Sequence, residues 1–531
     1  MRNSPQCIRP WWLRFVIPSV GDLVFVLLLV ALTYGPLAKG LLGDAGIGWH
    51  IRTGELVLKT HSVPRADPFS SSMYGKAWFA WEWLYDAVVG AVHGTTGLNG
   101  VVFATALLIA LTFALLLRRM LASGANLPVA VALLLLAMAA STIHFLARPH
   151  VLSWLFMVLW FGALEKFVRD GRPRSLLWLL PLMMLWANLH GGFLVGLVLL
   201  GIYVVSALLD GWAARASEDR KVAFSRARTL AALAVASLLV TLVNPYGYQL
   251  HLHIYRYLSD RFLMDHIDEF LSPNFHGLAQ KCFAALVLLA VVGAGAARKR
   301  LRTSHVLVIL FAINSGLYSA RNIPASSLLL ALIVAPQLSL VLKEMAGSRE
   351  ASDGLRRAMS HVNRFGSRMA AFDANLQGHI WPIVAVMLGI WACAHQGHIG
   401  GFHLMDAQFD GKRFPVQAVD FVKQTGNREP IFCPDRWGGY VIYRMYPEQK
   451  VAVDDRHDLY GSEFLKRYLK IMHGELDWDK NLAELHAGWV LVPQDSALVS
   501  LLSAGGVWRA VYRDNTAVLF RKGEAEIGAR P

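Results

Sequence analysis

Long apolar stretches recur along the whole chain, and they constrain the fold more than any other feature of the sequence. A helix needs about 20 apolar residues to cross the hydrocarbon core of a bilayer. By that measure the chain has eleven candidate spans, to within one or two because several are short: 20–41, 98–120, 127–146, 150–168, 175–189, 191–209, 228–243, 281–297, 303–319, 323–343 and 378–396. The sequence therefore predicts an all-α transmembrane bundle with the lipid bilayer as its surroundings.

The basic residues indicate the orientation of these spans. The formal net charge of +14 comes from short clusters in the even-numbered gaps between spans. Cytoplasmic loops are enriched in Lys and Arg, so the pattern predicts a cytoplasmic N-terminus and explains the charge without a nucleic-acid partner. The clusters comprise Arg118, Arg119, Lys166, Arg169, Arg172, Arg174, Arg215, Arg220, Lys221, Arg226, Arg228, Arg298, Lys299, Arg300, Arg302 and the segment 343–368.

The last part of the chain differs from the rest in composition. We expect a polytopic domain over 1–399, with a large first periplasmic loop at 42–97, and a small extracytoplasmic α/β domain over 400–531. Alternating apolar patterns predict strands in this second domain and a hairpin at its end. The predicted strands are 430–433, 451–453, 489–492, 508–512 and 516–521, and the predicted helices are 462–472 and 496–504.

Polar side chains gather in the odd-numbered gaps, on the face that we expect to lie outside the cytoplasm. Ionisable groups near the ends of spans are costly in hydrocarbon and suggest function. Each alone has a simpler interpretation, such as a turn, a helix cap or a snorkelling cation. Together they predict a polar chamber at the outer membrane surface. Its candidate residues are Asp44, His50, Arg52, Asp67, Glu82, Arg148, His150, His190, Asn244 and Arg321.

The first loop carries motifs that resemble a known superfamily. Helix-like segments at 47–59 and 78–93 follow an acidic residue, Asp44, placed just after the first span. This arrangement resembles the GT-C superfamily of membrane glycosyltransferases. More narrowly, the chain is similar to a mostly uncharacterised group of bacterial membrane proteins through Trp49-His50-Ile51, Asp67-Pro68-Phe69-Ser70, Trp81-Glu82-Trp83-Leu84, Ala147-Arg148-Pro149-His150, Asn188-Leu189-His190-Gly191-Gly192, Asn244-Pro245-Tyr246-Gly247, Trp437-Gly438-Gly439-Tyr440 and Val453-Asp454-Asp455-Arg456.

The resemblance implies a function and a set of roles. It implies transfer of a sugar from a polyprenyl-phosphate-linked donor to an unknown glycan, lipid or protein acceptor at the periplasmic surface of the bacterial inner membrane. Asp44 stands where the superfamily places its base, and Glu82 or Asp67 could act as a second acid group or position the sugar. Arginine suits phosphate oxygens. The further substrate-binding candidates are Arg148 and Arg321 for phosphate, His50, His150 and His190 as supporting donors, and Arg52 and Asn244.

Two departures from the superfamily limit what the resemblance implies. Ala45 and Gly46 follow Asp44, where many members have a second acidic residue. The Trp-Trp-Asp-x-Gly signature of oligosaccharyltransferases is absent from the sequence, so bulk N-glycan transfer is not expected. No cofactor is firmly predicted, although Asp44 with His50 or Glu82 could hold a divalent cation.

Several alternatives stay open from the sequence. Trp437 and Tyr440 could stack on a sugar ring or flank a tight turn. Asp454-Asp455-Arg456 could face the chamber mouth and bind the acceptor, or form a solvated ion-pair cluster. For the whole chain, the alternatives are a transporter or flippase of a lipid-linked or anionic solute, and a non-catalytic partner in polysaccharide assembly. The sequence shows no internal repeat of the kind that transporters carry.

Overall fold

Helices make up the first three quarters of the chain. The structure is a computed structural model, and it describes residues 12–296, 301–348, 352–376 and 378–523. The first ten helices are α1 (Leu13–Val16), α2 (Val20–Thr33), α3 (Pro36–Leu41), α4 (Gly46–Thr60), α5 (Trp83–Ala122), α6 (Leu127–Ser141), α7 (His150–Asp170), α8 (Leu179–Leu189), α9 (Phe193–Ala213) and α10 (Ser217–Val240). They are followed by α11 (Gln249–Ser259), α12 (Arg261–His266), α13 (Leu278–Ala296), α14 (Thr303–Tyr318), α15 (Ile323–Gly347), α16 (Asp353–Asp373) and α17 (Ile380–Ala394).

The predicted spans coincide with helices, because a helix satisfies its own backbone polar groups where no water can. Among the described residues, seven helical segments are long and apolar enough to cross a membrane: Trp83–Ala122, Leu127–His144, His150–Asp170, Phe193–Ala213, Ser217–Val240, Leu278–Ala296 and Ala320–Gly347. Three shorter apolar helices, α2, α14 and α17, and the 11-residue α8 match the remaining predicted spans. The all-α bundle is thus confirmed. Of the predicted basic clusters, Arg298, Lys299 and Arg300 lie outside the described residues.

Helix α5 contains both the predicted loop helix and the second predicted span. The expected break between them lies at Gly97, whose φ of 63° and ψ of −157° are not helical. A side chain at this φ would be strained, so glycine permits the change of direction. Its first turns pack along α4 outside the apolar span, and both helices carry residues of the predicted chamber.

The C-terminal part contains the strands. They are β1 (His398–Ile399), β2 (Phe402–His403), β3 (Ile431–Phe432), β4 (Trp489–Pro493), β5 (Trp508–Arg513) and β6 (Ala517–Lys522), and the helices there are α18 (Val416–Thr425), α19 (Asp435–Met445), α20 (His457–His473), α21 (Trp478–Glu484) and α22 (Ala497–Ala504). The larger sheet has the order β3-β4-β6-β5, with β3 and β4 parallel and the other pairs antiparallel. The central strand β4 is buried along its whole length. The predicted α/β character and terminal hairpin are confirmed.

The predicted strand at 451–453 does not form as a regular strand. Val451 makes single bridges to Ile431 of the sheet and to Ser70 of the first loop. The amide of Ser71 also donates to the carbonyl oxygen of Val451, at 2.7 Å. This segment is therefore divided between two parts of the chain, and it ties the first loop to the C-terminal sheet.

Helices α4 and α19 form a second contact between the first loop and the C-terminal part. A Cβ added at Gly48 would lie 2.2 Å from the carbonyl oxygen of Gly439, and one added at Gly439 would lie 2.3 Å from that of Ala45. Only glycine allows backbones to approach this closely. The contact holds α19 against the start of α4, next to Asp44.

Candidate active site

A polar cavity of about 80 Å³ lies where the first loop, the ends of several helices and the C-terminal part meet. Its walls come from segments far apart in the sequence. The lining residues are Trp49, His50, Trp81, Glu82, Arg148, Pro149, His150, His190, Tyr257, Ile267, Glu269, Phe270, Arg321, Asp455, Arg456, His457 and Asp458. The structure thus brings six of the predicted site residues to one cavity.

Arg148 is the centre of the charged network. It stands just before α7, which begins after the N-cap residue Pro149. Its Nη2 lies 2.8 Å from Oδ1 of Asp44 and 2.5 Å from Oδ2 of Asp455, and its Nη1 lies 3.1 Å from Oε1 of Glu269. One guanidinium is therefore shared by three carboxylates.

Arg321 is the second cation of the cavity, at the end of α14 and the start of α15. Its Nη1 lies 3.6 Å from Oε2 of Glu269, and its guanidinium stacks 5.2 Å from the centre of the Phe270 ring. Burial would raise the pKa of Glu269, but the charges of Arg321 and Arg148 bring that pKa well below its usual range. Arg321 is 31% exposed and has this single, longer ion pair, so it is more available to an anion than Arg148.

Glu82 forms the opposite wall, at the start of α5. Its carboxyl oxygens lie 3.7 Å from Nε2 of His190 and 3.9 Å from Nε2 of His50. Burial raises the pKa of Glu82 to about 8 and lowers the pKa of His50 well below its usual value. Near neutral pH this wall is therefore a neutral carboxyl group beside a neutral imidazole, able to donate hydrogen bonds without carrying charge.

Asp455 reaches the cavity from the C-terminal part. The indole N–H of Trp49 donates to its Oδ1 at 2.9 Å, and Arg148 contacts its Oδ2. Burial and then the negative charge of Asp44 raise the pKa of Asp455 to about 7, against the opposing charge of Arg148. At neutral pH, a larger fraction of this carboxyl group is therefore protonated than of an exposed aspartate.

Arg456, the next residue, is fully enclosed. Its Nη1 lies 2.8 Å from Oδ1 of Asp67, and its Nε and Nη2 donate to Asp454 at 2.8 and 2.7 Å. All three side chains are buried. Asp67 also accepts from the Ser70 hydroxyl at 2.5 Å. Asp67 thus reaches the cavity only through Arg456, which it anchors.

Asp44 stands beside the cavity and does not line it. Its Oδ1 accepts from the amide of Gly46 at 2.7 Å and contacts Arg148.

Two histidines of the cavity wall, His150 and His190, are held in place by residues that do not line the cavity. His150 contacts the carbonyl oxygen of His144 at 2.8 Å, and Nδ1 of His190 lies 2.7 Å from the hydroxyl of Ser153.

Four predicted substrate-binding residues lie away from the cavity. Arg52 donates to the carbonyl oxygen of Tyr443 and to Glu55, and Asn244 closes its own turn through the carbonyl oxygens of Thr241 and Gly247. In the C-terminal part, Trp437 donates to the carbonyl oxygen of Arg413, while the ring of Tyr440 packs on Phe409 and Phe414. Their binding roles stay predictions.

Most other cavity residues had no individual role in the sequence analysis. Tyr257, His457 and Asp458 were not singled out, and Glu269 was given no role, whereas Asp455 belonged to a cluster that was expected either to face the chamber mouth or to form a solvated ion-pair cluster. Asp455 and His457 come shortly after the segment 451–453, which was predicted as a strand. Residues that follow a strand lie at an edge of the sheet, so this position in the sequence could have marked them as site candidates. The sequence offers no comparable signal for Tyr257.

The donor set does not suit a metal ion. Within the ranges that the structure describes, no three His, Cys, Asp or Glu side chains are grouped as a metal site would require. Asp44, the proposed ligand, shares Oδ1 between a guanidinium and a backbone amide. A cation there would face the positive charge of Arg148.

Comparison with known proteins rests on structure alone. No known family matches the sequence, and no curated protein does. The oligosaccharyltransferase of Archaeoglobus fulgidus in its apo form is similar with a TM-score of 0.54 and 10% identity, over 89% of this chain and 69% of that one.

Two structures of ArnT from Cupriavidus metallidurans also match, at lower TM-scores. The one bound to undecaprenyl phosphate gives 0.46 at 14% identity, over 96% of this chain and 98% of that one. The apo form gives 0.44 at 15% identity, over 96% and 95%. At these identities the likeness concerns the fold alone, and the chain shares its fold with the Archaeoglobus fulgidus oligosaccharyltransferase.

Proposed function

We propose that the chain is a glycosyltransferase that moves a sugar from a polyprenyl-phosphate-linked donor to an acceptor at the periplasmic membrane surface. The observation that carries this proposal is a single cavity, in a GT-C fold, where Arg321 and Arg148 stand beside Glu269, Asp455 and Glu82. Such a site can hold a leaving phosphate and take a proton from an acceptor hydroxyl. The acceptor could be a glycan, a lipid or a protein.

The leaving group needs a cation. As the bond between the sugar C1 and the phosphate oxygen breaks, its electron pair leaves with the phosphate, and the guanidinium of Arg321 stabilises the added charge. Both Nη atoms of Arg148 already contact carboxylates, so a phosphate oxygen at either of them would replace a carboxylate partner. Arg321 is therefore the principal phosphate ligand in this proposal.

The acceptor needs a base and the sugar needs hydrogen bonds. Glycosyl transfer passes through an oxocarbenium-like state, and a carboxylate takes the proton of the attacking hydroxyl. The resemblance implies Asp44 for that role. Asp455 contacts the same Nη2 of Arg148 as Asp44 does, so it is a second carboxylate at the same place. Glu82, neutral near pH 7, can donate a hydrogen bond to a sugar hydroxyl.

The cavity must widen to admit a donor. Ligand sites usually measure roughly 300–1,000 Å³, whereas this cavity holds about 80 Å³. The ion pairs of Glu269 with Arg148 and Arg321 join the 257–270 segment to the residues just before α7 and α15. A phosphate that pairs with Arg321 would compete with Glu269 and so favour the wider form.

The test is a transfer assay with purified protein. Radiolabelled hexoses on polyprenyl phosphate are the donors, membrane extract is the acceptor, and Arg321→Gln is compared with the exposed control Arg436→Gln. We expect label transfer by the wild type and the control, and a loss of about 100-fold or more in kcat/KM for Arg321→Gln, by analogy with removal of one transition-state donor.

Other outcomes identify the alternatives. Uptake of the labelled donor into vesicles with no new glycosidic bond would point to a transporter or flippase. Equal transfer by Arg321→Gln and wild type would contradict the role of Arg321 and send the search for the phosphate ligand to Arg148.

A further inference from the structure

Asp455 belongs to the C-terminal part but lies in the wall of the cavity. Its two carboxylate oxygens are held by different groups, Oδ1 by the indole of Trp49 at 2.9 Å and Oδ2 by Arg148 at 2.5 Å. The side chain is 12% exposed. Its contacts therefore fix one orientation, and the exposed remainder faces the space where substrate would bind.

The neighbours of Asp455 keep it in that place. Asp454 and Arg456 on either side are buried, and Arg456 is bound to Asp67 of the first loop. Because its two neighbours are anchored inside the protein, the backbone at Asp455 is held in the position from which its carboxylate contacts Arg148.

Asp44 is placed differently. It stands behind Arg148 and does not line the cavity, and its Oδ1 is engaged by both Arg148 and the amide of Gly46. Asp44 and Asp455 contact the same Nη2, so their charges disfavour each other. Burial and the charge of Asp44 raise the pKa of Asp455 to about 7, which suits a base that must exchange protons near neutral pH.

We propose that Asp455, a residue of the C-terminal part, is the catalytic base of the proposed transfer and that Asp44 is a positioning residue that holds Arg148. This inference rests on the proposed function. The acceptor oxygen forms its bond to the sugar C1 as its proton passes to Asp455. The C1–O bond of the donor breaks, its electron pair leaves with the polyprenyl phosphate, and Asp455 later releases the proton to water.

Four charged groups set the titration of Asp455. They are Arg148 and Asp44 from the membrane part, and Asp454 and His457 from its own segment. If ionised Asp455 is the base, transfer rises with pH and levels off above about 7. Removing the negative charge of Asp44 lowers the pKa of Asp455, so the rising limb in Asp44→Asn moves to lower pH.

The experiment measures pH profiles of kcat and KM for the donor in wild type, Asp455→Asn, Asp44→Asn and Asp479→Asn. The last is an exposed carboxylate of the same part of the chain and serves as the matched control. We expect Asp455→Asn to lose about 100-fold or more in kcat, the usual contribution of a general base, with KM for the donor little changed and the rising limb absent. Asp44→Asn keeps a rising limb, displaced to lower pH.

Two results would overturn the assignment of Asp455. In the first, Asp455→Asn keeps the kcat of the wild type and its rise with pH. In the second, the rise of kcat with pH in Asp44→Asn occurs at the same pH as in the wild type. If Asp455→Asn does not fold, Asp455→Glu replaces it, and loss of the limb in that variant would contradict the proposal as well. A wild type that transfers no label would instead remove the proposed function, and the Asp455 assignment with it.

Discussion

The carboxyl groups around the cavity are chemically alike, and their neighbours make them different. Glu269 contacts two guanidinium groups, so its pKa lies well below the usual range. Glu82 is buried beside imidazoles, and its pKa is about 8. Asp455 shares one guanidinium with Asp44 and has a pKa of about 7. Environments that separate pKa values in this way allow an anion, a base and a neutral donor to coexist in one site.

At the same scale, Glu82→Gln should change the pH dependence of stability. The folded pKa of Glu82, about 8, lies above its ordinary value of 4.5, so folding binds a proton between those values and stability falls as pH rises. Glutamine does not titrate. We expect the thermal unfolding temperature of Glu82→Gln to equal that of wild type at pH 5 and to exceed it at pH 9, by the equivalent of a few kcal/mol.

The control is Glu463→Gln, which removes a carboxylate that is 84% exposed. Its unfolding temperature should follow that of wild type at every pH. A constant difference between Glu82→Gln and wild type from pH 5 to pH 9 would mean that Glu82 is already ionised at pH 5.

At the scale of elements, the site depends on how α4, α5 and α19 meet. The helix α4 begins just after Asp44, carries Trp49 and His50, and packs against α5, which begins at Glu82. The helix α19 approaches the same end of α4 through Gly48 and Gly439. The Trp437–Tyr440 motif therefore packs inside the protein, and its glycines bring the C-terminal part close enough for Asp455 to meet Arg148.

Gly439→Ala tests this contact. The new methyl carbon would lie 2.3 Å from the carbonyl oxygen of Ala45, so α19 must move away, at a cost of about 1–3 kcal/mol. We expect a lower unfolding temperature and a loss of transfer greater than that loss of stability explains. Gly505→Ala, whose new Cβ would meet its nearest atom at 3.5 Å, should change neither. Full transfer by Gly439→Ala would contradict the dependence of the site on this contact.

At the scale of the whole molecule, polar and basic groups occupy opposite ends of the bundle. The cavity lies with the C-terminal part, whereas the basic helix α16, with Arg356, Arg357 and Arg364, follows α15 at the other end of that helix. The positive-inside rule predicts that the α16 end faces the cytoplasm. The cavity would then open on the periplasmic side, where a lipid-linked donor could reach it from the outer leaflet.

Cysteine labelling tests this orientation. Leu476 is 85% exposed in the C-terminal part, and Arg356 is 44% exposed on α16. In spheroplasts, a membrane-impermeant maleimide should label Leu476→Cys, and it should label Arg356→Cys only after lysis. The unmodified chain supplies the background from its own cysteines. Labelling of Arg356→Cys before lysis would reverse the predicted orientation.

Sequence patterns predicted the helices well and the contacts between distant segments poorly. The apolar lengths identified the spans, and alternation identified the β5–β6 hairpin, because both depend on neighbouring residues. The segment 451–453 was predicted as a strand, but its pairing is divided between Ser70 and Ile431. That outcome depends on partners that local patterns do not specify. The expected break between the loop helix and the second span is present at Gly97, where φ and ψ are not helical.

By itself, the sequence determined that the chain is a helical membrane bundle with a small α/β part. It also proposed ten candidates for one chamber: Asp44, His50, Arg52, Asp67, Glu82, Arg148, His150, His190, Asn244 and Arg321. Only the tertiary structure decided which carboxylates meet Arg148. Asp455 lies 307 positions further along the chain, and no periodicity relates residues at that separation. The position of Asp455 follows from the glycine contact of α19 and from the buried Arg456. Packing between distant segments sets the distances between side chains and how deeply each carboxyl group is buried, and burial in turn shifts its pKa.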